Sequence, residues 1–267
     1  MDEDRPFDRR LRRLRRARAG GGDGADFLFR HAADEVVARL DLVARPFRTV
    51  LDLGWGDPYL AGLLRARGLD VVASDEHALP SLPGPFDLAV SVGLLDTVND
   101  LPGALALVRR ALKPDGLFLA AFAGAGSLPR LRGAMRAGEE AQGTGAAPRI
   151  HPQIDIRAAG DLMTRAGFAL PVVDRDVIEV RYSSLMRLIG DLRAMGATNQ
   201  LAGQVAPPFG RIGLAAAIAD FSDPGGGTIE RFEIIHVSGW APAPDQPQPA
   251  RRGSATASLA DALKAKG

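Results

Sequence analysis

The sequence predicts an α/β protein: a mostly parallel sheet with helices on both faces, preceded by helices at the N-terminus. Short apolar runs rich in Val, Leu and Ala (TVLDL, VVAS, FDLAVSV, LFLAAF) alternate with stretches of helical periodicity. Strands spaced by crossover helices pair in parallel and are covered on both sides. The first strand also runs into a turn with two glycines, Gly54 and Gly56, just before a helix. That turn lets a backbone approach a nucleotide-type ligand closely, because glycine carries no Cβ.

In chain order, RPFDRRLRRLRRAR (5–18) holds eight arginines, with Phe7, Leu11 and Leu14 at helical spacing. This is a short basic amphipathic helix. Its arginines either face solvent or meet nucleic acid, an anionic membrane surface or an acidic protein. Nucleic acid is the weakest of these, because no aromatic residues interleave the arginines. GGGDG (20–24) reads as a flexible linker, and a second helix follows at about 26–43.

TVLDLG (49–54) is then a strand, 58–68 a helix closed by Gly68, VVAS (71–74) a strand and FDLAVSV (86–92) another. Helix 101–112, a Lys113–Gly116 turn and strand LFLAAF (117–122) follow, then helices at 127–141 and 155–167. A strand at 170–182, a helix at 183–196 capped by Ser183, and a closing strand at 229–237 complete the pattern. Three regions result: N-terminal helices and linker (1–44), one α/β domain (45–240) and a disordered Pro/Ala-rich tail (241–267).

Composition narrows the chemistry. The 267 residues contain no cysteine, which excludes disulfides, thiolate metal sites and a Cys nucleophile. Four scattered histidines (His31, His77, His151, His236) show no metal-ligand spacing, so no metal is expected. No apolar run approaches the roughly 18 residues of a membrane span, and no secretory signal is evident; a cytoplasmic protein is the expectation. Net charge is +1 and implies no partner.

The strand–glycine turn–helix unit, FDLAVSVGLLDTVND (86–100) and LKPDGLFLA (112–120) resemble the class I S-adenosylmethionine-dependent methyltransferase fold, over about residues 45–240. FDRRLRRLRRARA, RAGFALPVVDRDVIEVRY (165–182) and LMRLIGDLRAMGATN (185–199) resemble more specifically the family of complex I assembly factor 5. Its mitochondrial members are implicated in hydroxylating an arginine of a complex I subunit, and it is related to malonyl-carrier-protein methyltransferases. The resemblance implies S-adenosylmethionine as cofactor, with Asp52, Gly54, Trp55, Gly56, Asp75, Glu76 and Ser91 around it.

Three departures stand out at that site. The family's first motif resembles LDLGCGTG, whereas this chain reads Leu51-Asp52-Leu53-Gly54-Trp55-Gly56-Asp57-Pro58. Trp55 brings a large ring to a small place; Pro58 removes an N–H but suits the first turn of a helix. Only one acidic segment, SDEHALPSLPGPFDLAVS (74–91), stands where the family has two, which implies a deleted strand–helix unit between Arg67 and Val71. The family's LHWVNDLP becomes Leu95-Asp96-Thr97-Val98-Asn99-Asp100-Leu101-Pro102, with Asn99 and Asp100 left as helix caps. Two readings follow. One is a degraded cofactor site, a pseudoenzyme that binds a respiratory-complex subunit or another protein. The other is an active S-adenosylmethionine-dependent methyltransferase or arginine hydroxylase.

Overall fold

The computed structural model describes residues 5–19, 26–54, 58–75, 77–81, 84–143, 145–203 and 206–247. Helices α1 (Arg9–Arg18) and α2 (Phe27–Asp41) lead into β1 (Thr49–Leu53), α3 (Pro58–Ala66), β2 (Asp70–Ser74) and β3 (Phe86–Val92). Then come α4 (Leu101–Ala111), β4 (Leu112–Ala123), α5 (Pro129–Gln142), α6 (Ile156–Arg165), β5 (Ala169–Tyr182), α7 (Leu185–Ala194), α8 (Arg211–Phe221) and β6 (Thr228–Trp240).

The strands form one sheet in the order β2-β1-β3-β4-β6-β5. The first four are parallel, and β6 lies antiparallel between β4 and β5. Period-2 alternation divides the strand residues between two faces. Leu51, Leu53, Phe118 and Ala120 meet α4 and α6 on one side. Val50, Leu88, Val90 and Leu119 meet Val36, Val37 and Leu40 of α2 and Leu60 and Leu64 of α3 on the other. A third cluster joins α5, α7 and α8 around Tyr182, Leu188, Phe221 and Phe232. The leucines of 185–195 are core residues, as their spacing implies.

Among the described residues the sheet ends at β2, which pairs with β1 alone and is only partly covered. The segment expected to have lost a unit is a tight return: Gly68 takes φ +78° and the N–H of Asp70 donates to Arg48 O at 2.8 Å.

Several local expectations are corrected. Lys113–Gly116 is the start of β4 rather than a separate turn; the register against β3 slips between Phe86 and Leu88, and Asp115 takes φ +61°. Ser184 rather than Ser183 caps α7, its hydroxyl accepting from the N–H of Arg187. Helix α8 is absent from the sequence reading because it has no apolar stripe. Ile212, Leu214 and Ile218 are exposed, and α8 instead packs through small residues. A Cβ at Gly213 would come 2.9 Å from Gly138 O of α5, so the two backbones nearly touch.

Residues 241–247, expected as disordered tail, continue the fold: Ala241 and Ala243 are buried, and Gln246 Nε2 donates to Asp115 Oδ1 at 2.6 Å. The rest of the tail and the 20–24 linker lie outside the described residues.

Asp87 ties β3 to β1 and β4. Burial opposes its charge but is outweighed by Lys113 Nζ at 2.6 Å, the N–H and hydroxyl of Thr49 and the N–H of Arg48, which hold its pKa at about 2. A carboxylate whose folded pKa is depressed contributes stability above its unfolded pKa and loses it as pH falls through the folded value. Asp87→Asn is therefore expected to cost about 2 kcal/mol at pH 7. Urea titrations should show the gap to wild type closing between about pH 4 and pH 2.

Candidate functional site

Parallel α/β sheets place ligands outside the carboxyl ends of their strands. Here β1 brings Asp52, buried at 3% exposure, and the turn residue Gly54 to that edge. A Cβ on Gly54 would lie 3.0 Å from Asp52 Oδ1 and 3.8 Å from Val92 O, so glycine fits where β1 and β3 converge. Ser91 of β3 is fully buried, its hydroxyl without a hydrogen-bond partner among the described residues. Asp75 follows β2 directly. Trp55, Gly56 and Glu76 lie outside the described residues. The structure thus brings Asp52, Gly54, Ser91 and Asp75 to one edge of the sheet.

The N-terminal helix crosses this edge. Its docking begins at Asn99, expected as a helix cap; the cap is Asp100, which accepts from Gly103 N at 2.9 Å. Asn99 instead clamps the backbone of Phe7: Oδ1 accepts from Phe7 N at 2.8 Å and Nδ2 donates to Phe7 O at 2.9 Å. Asp8 N donates to Gln200 O and Ala202 N to Pro6 O, so residues 6–8 run beside 200–202. Asp8 then caps α1 through Leu11 N at 2.9 Å.

Of the α1 arginines, two are drawn inward and a third is paired at the surface. Arg12 is 4% exposed and donates through Nη1 to Thr97 O at 2.8 Å. Arg16 Nη2 donates to Gly93 O at 3.4 Å, and Arg13 pairs with Asp75 Oδ2 at 3.2 Å. Burial, then the neighbouring Arg9, pulls the Arg12 guanidinium below its ordinary pKa; burial, then Arg12, brings Arg16 down to about 10, against the pull of Asp96 and Asp75. Both stay charged at neutral pH, so the carbonyls of Gly93 and Thr97 receive charge-assisted hydrogen bonds.

Asp75 has both oxygens occupied. Oδ1 accepts from His77 N at 2.9 Å and Ala78 N at 3.2 Å, while Oδ2 meets Arg13. Burial works against its charge, but these N–H groups, His77 and Arg13 together hold its pKa below the usual carboxylate range.

Beneath α1 and α2 lies a cavity of about 430 Å³, lined by the ends of β3 and β4, by α5 and α7 and by the 197–201 segment. Its walls mix apolar side chains (Leu11, Phe29, Leu131, Ile234) with charged and polar ones, among them Arg15, Asp96, Arg149, His151, Arg193 and Gln200. Asp52, Gly54, Asp75 and Ser91 do not line it. No spacing in the sequence links His151 to Asp96, fifty-five positions earlier; only folding sets its Nε2 3.8 Å from Asp96 Oδ2. Folding also assembles His31, Glu35 and Asp176, whose ligand atoms lie within 4.8 Å of one another, although Glu35 is engaged by Arg39 and Asp176 by His236.

Fold and site together define a class I methyltransferase architecture. A protein-family profile described as a methyltransferase domain matches residues 25–171. The chain is 31% identical to the Danio rerio protein named Arginine-hydroxylase NDUFAF5, mitochondrial, over 97% of this chain and 89% of that one. It is 32% identical to the Mus musculus protein of the same name, over 97% and 84%. The Malonyl-[acyl-carrier protein] O-methyltransferase of Laribacter hongkongensis is 31% identical, over 83% and 85%. A Bacillus halodurans structure titled as a methyltransferase matches at TM-score 0.51 and 12% identity, over 79% of this chain and all of that one, which shows the fold alone. The chain belongs to the NDUFAF5 family of methyltransferase-domain proteins.

S-adenosylmethionine is the cofactor this fold implies. Asp75, expected beside it, accepts from His77 N, Ala78 N and the exposed Arg13, and Arg12 and Arg16 donate to carbonyls at the same strand ends.

The Asn99 clamp is directly testable. Asn99→Ala leaves the N–H and carbonyl of Phe7 without these partners and is expected to cost about 1–3 kcal/mol by chemical denaturation. Limited trypsin digestion should cut within α1 faster than in wild type.

Proposed function

We propose that this protein is an assembly-type member of its family, a methyltransferase-fold pseudoenzyme that works by binding another protein rather than by cofactor chemistry. The single observation that carries this reading is the burial of Arg12 on Thr97 O beside the Arg13–Asp75 ion pair. The chain's own guanidiniums take up the strand-end groups a cofactor would use. The family resemblance implies a respiratory complex I subunit as the partner. A protein partner is also supported by β5, a fourteen-residue strand that pairs only with β6 among the described residues and exposes Val172 and Val177. Unpaired strand edges are ready templates for another chain. Nucleic acid is disfavoured, because Arg12, Arg13 and Arg16 are engaged within the protein.

The second reading is an active S-adenosylmethionine-dependent methyltransferase or arginine hydroxylase. It is favoured by one observation, the convergence of Asp52, Gly54 and the unpartnered Ser91 hydroxyl at the ends of β1 and β3. Calorimetric titration of the full chain with S-adenosylmethionine and S-adenosylhomocysteine separates the two. The assembly reading expects no heat and no rise in Tm at millimolar ligand, since a ligand that binds only the folded state must stabilise it. Micromolar binding that is weakened in Asp75→Ala would establish the enzymatic reading instead.

A further inference from the structure

Away from the cavity and the strand ends, α2 meets the outer strands over a cluster of imidazole and carboxylate groups. His31 and Glu35 stand one helical turn apart on α2, so both project from one face. Asp176 comes from β5 and His236 from β6. One ligand atom from each of His31, Glu35 and Asp176 lies within 4.8 Å of the others, and His31 Nε2 is 3.8 Å from Asp176 Oδ2. Donor atoms that share one divalent ion at about 2.1 Å stand about 3–4 Å apart. A small contraction of side chains brings the cluster to that spacing.

Two further features mark these groups as ligands rather than a chance meeting of polar side chains. His31 Nε2 is buried and has no hydrogen-bond partner among the described residues, at the point where it faces Asp176. Buried polar atoms are nearly always satisfied in folded proteins, so this nitrogen points to something that meets it. The Asp176 carboxylate is also held in place. His236 is 2% exposed and sets its Nε2 3.0 Å from Asp176 Oδ2. Hydrogen bonds of this kind orient the carboxylates that ligate metals.

The charges favour a dication. Glu35, Asp174 and Asp176 surround one guanidinium, that of Arg39, so carboxylates outnumber it by two. Arg39 takes Glu35 Oε2 and Asp174 Oδ1, which leaves Glu35 Oε1 for an ion. A mixed set of imidazole and carboxylate suits a first-row transition metal, whereas magnesium and calcium favour oxygen alone. The scattered histidines of the sequence predict no metal, because the Asp176 ligand arrives from far along the chain.

We propose that His31, Glu35 and Asp176 bind a divalent transition-metal ion, with His236 as the positioning residue for Asp176. The site ties α2 to β5. It does not rest on the assembly reading, because Asp75, Asn99 and the arginines of α1 take no part in it.

The test uses the full chain, stripped of metal by a chelator, with Zn²⁺ and Mg²⁺ as probes in calorimetry and thermal denaturation. Zn²⁺ is expected to bind one ion per chain at micromolar strength or tighter and to raise Tm, and Mg²⁺ at least about a hundredfold more weakly. His31→Ala should weaken Zn²⁺ binding at least about tenfold, as should Asp176→Asn, which keeps a hydrogen-bonding group beside His236. His77→Ala, outside the cluster, should leave it unchanged. His236→Phe, which cannot donate to Asp176, should weaken it about tenfold, and His236→Gln, which can, should recover most of that loss. No Zn²⁺ binding up to millimolar ion, Mg²⁺ binding as tight as Zn²⁺, or Zn²⁺ affinity undiminished in a folded His31→Ala protein would each overturn the proposal. Undiminished affinity in His236→Phe would overturn the positioning role.

Discussion

The arrangement at the strand ends depends on the docking of residues 6–8, which Asn99 and the backbone of 200–202 hold together. Asn99 satisfies both the N–H and the carbonyl of Phe7, and so fixes where the N-terminal segment enters the domain. From that point α1 must run across the ends of β2 and β3, which carries Arg12, Arg13 and Arg16 over Thr97, Asp75 and Gly93. The same docking roofs the cavity with Leu11 and sets Phe7 against His151. Loss of the Asn99 contact would loosen this docking, which the backbone bonds of residues 6–8 to 200–202 share.

Desolvated guanidiniums are costly, and α1 places several of them together. The cost is offset by charge-assisted hydrogen bonds to backbone carbonyls and by the fields of Asp75 and Asp96. Thr97 matters here for its carbonyl, which accepts from Arg12 Nη1 at 2.8 Å.

The segments that most closely resemble the family meet in space although they lie nearly two hundred residues apart. Asp8, in the FDRRLRRLRRARA stretch, bonds Gln200, which follows DLRAMGATN, and Asn199 Oδ1 accepts from Leu201 N within the same strip. A family likeness in these two stretches is therefore a likeness in how the N-terminal helix is held. It describes the roof of the cavity more than the floor of a cofactor site.

Much of the fold was legible in the sequence, because strands and helices announce themselves through local periodicity. TVLDL, FDLAVSV and LFLAAF bury alternate residues on opposite faces, and Asp52, Gly54, Asp75 and Ser91 fall at strand ends once those strands are recognised. Helix α8 escaped because glycine and alanine packing leaves no apolar stripe to read. The fate of the arginines, the role of Asn99 and the meeting of His151 with Asp96 were decided only by the tertiary structure. A side chain's local pattern reports its own helix or strand, whereas burial of a charge depends on which acceptors arrive from far along the chain.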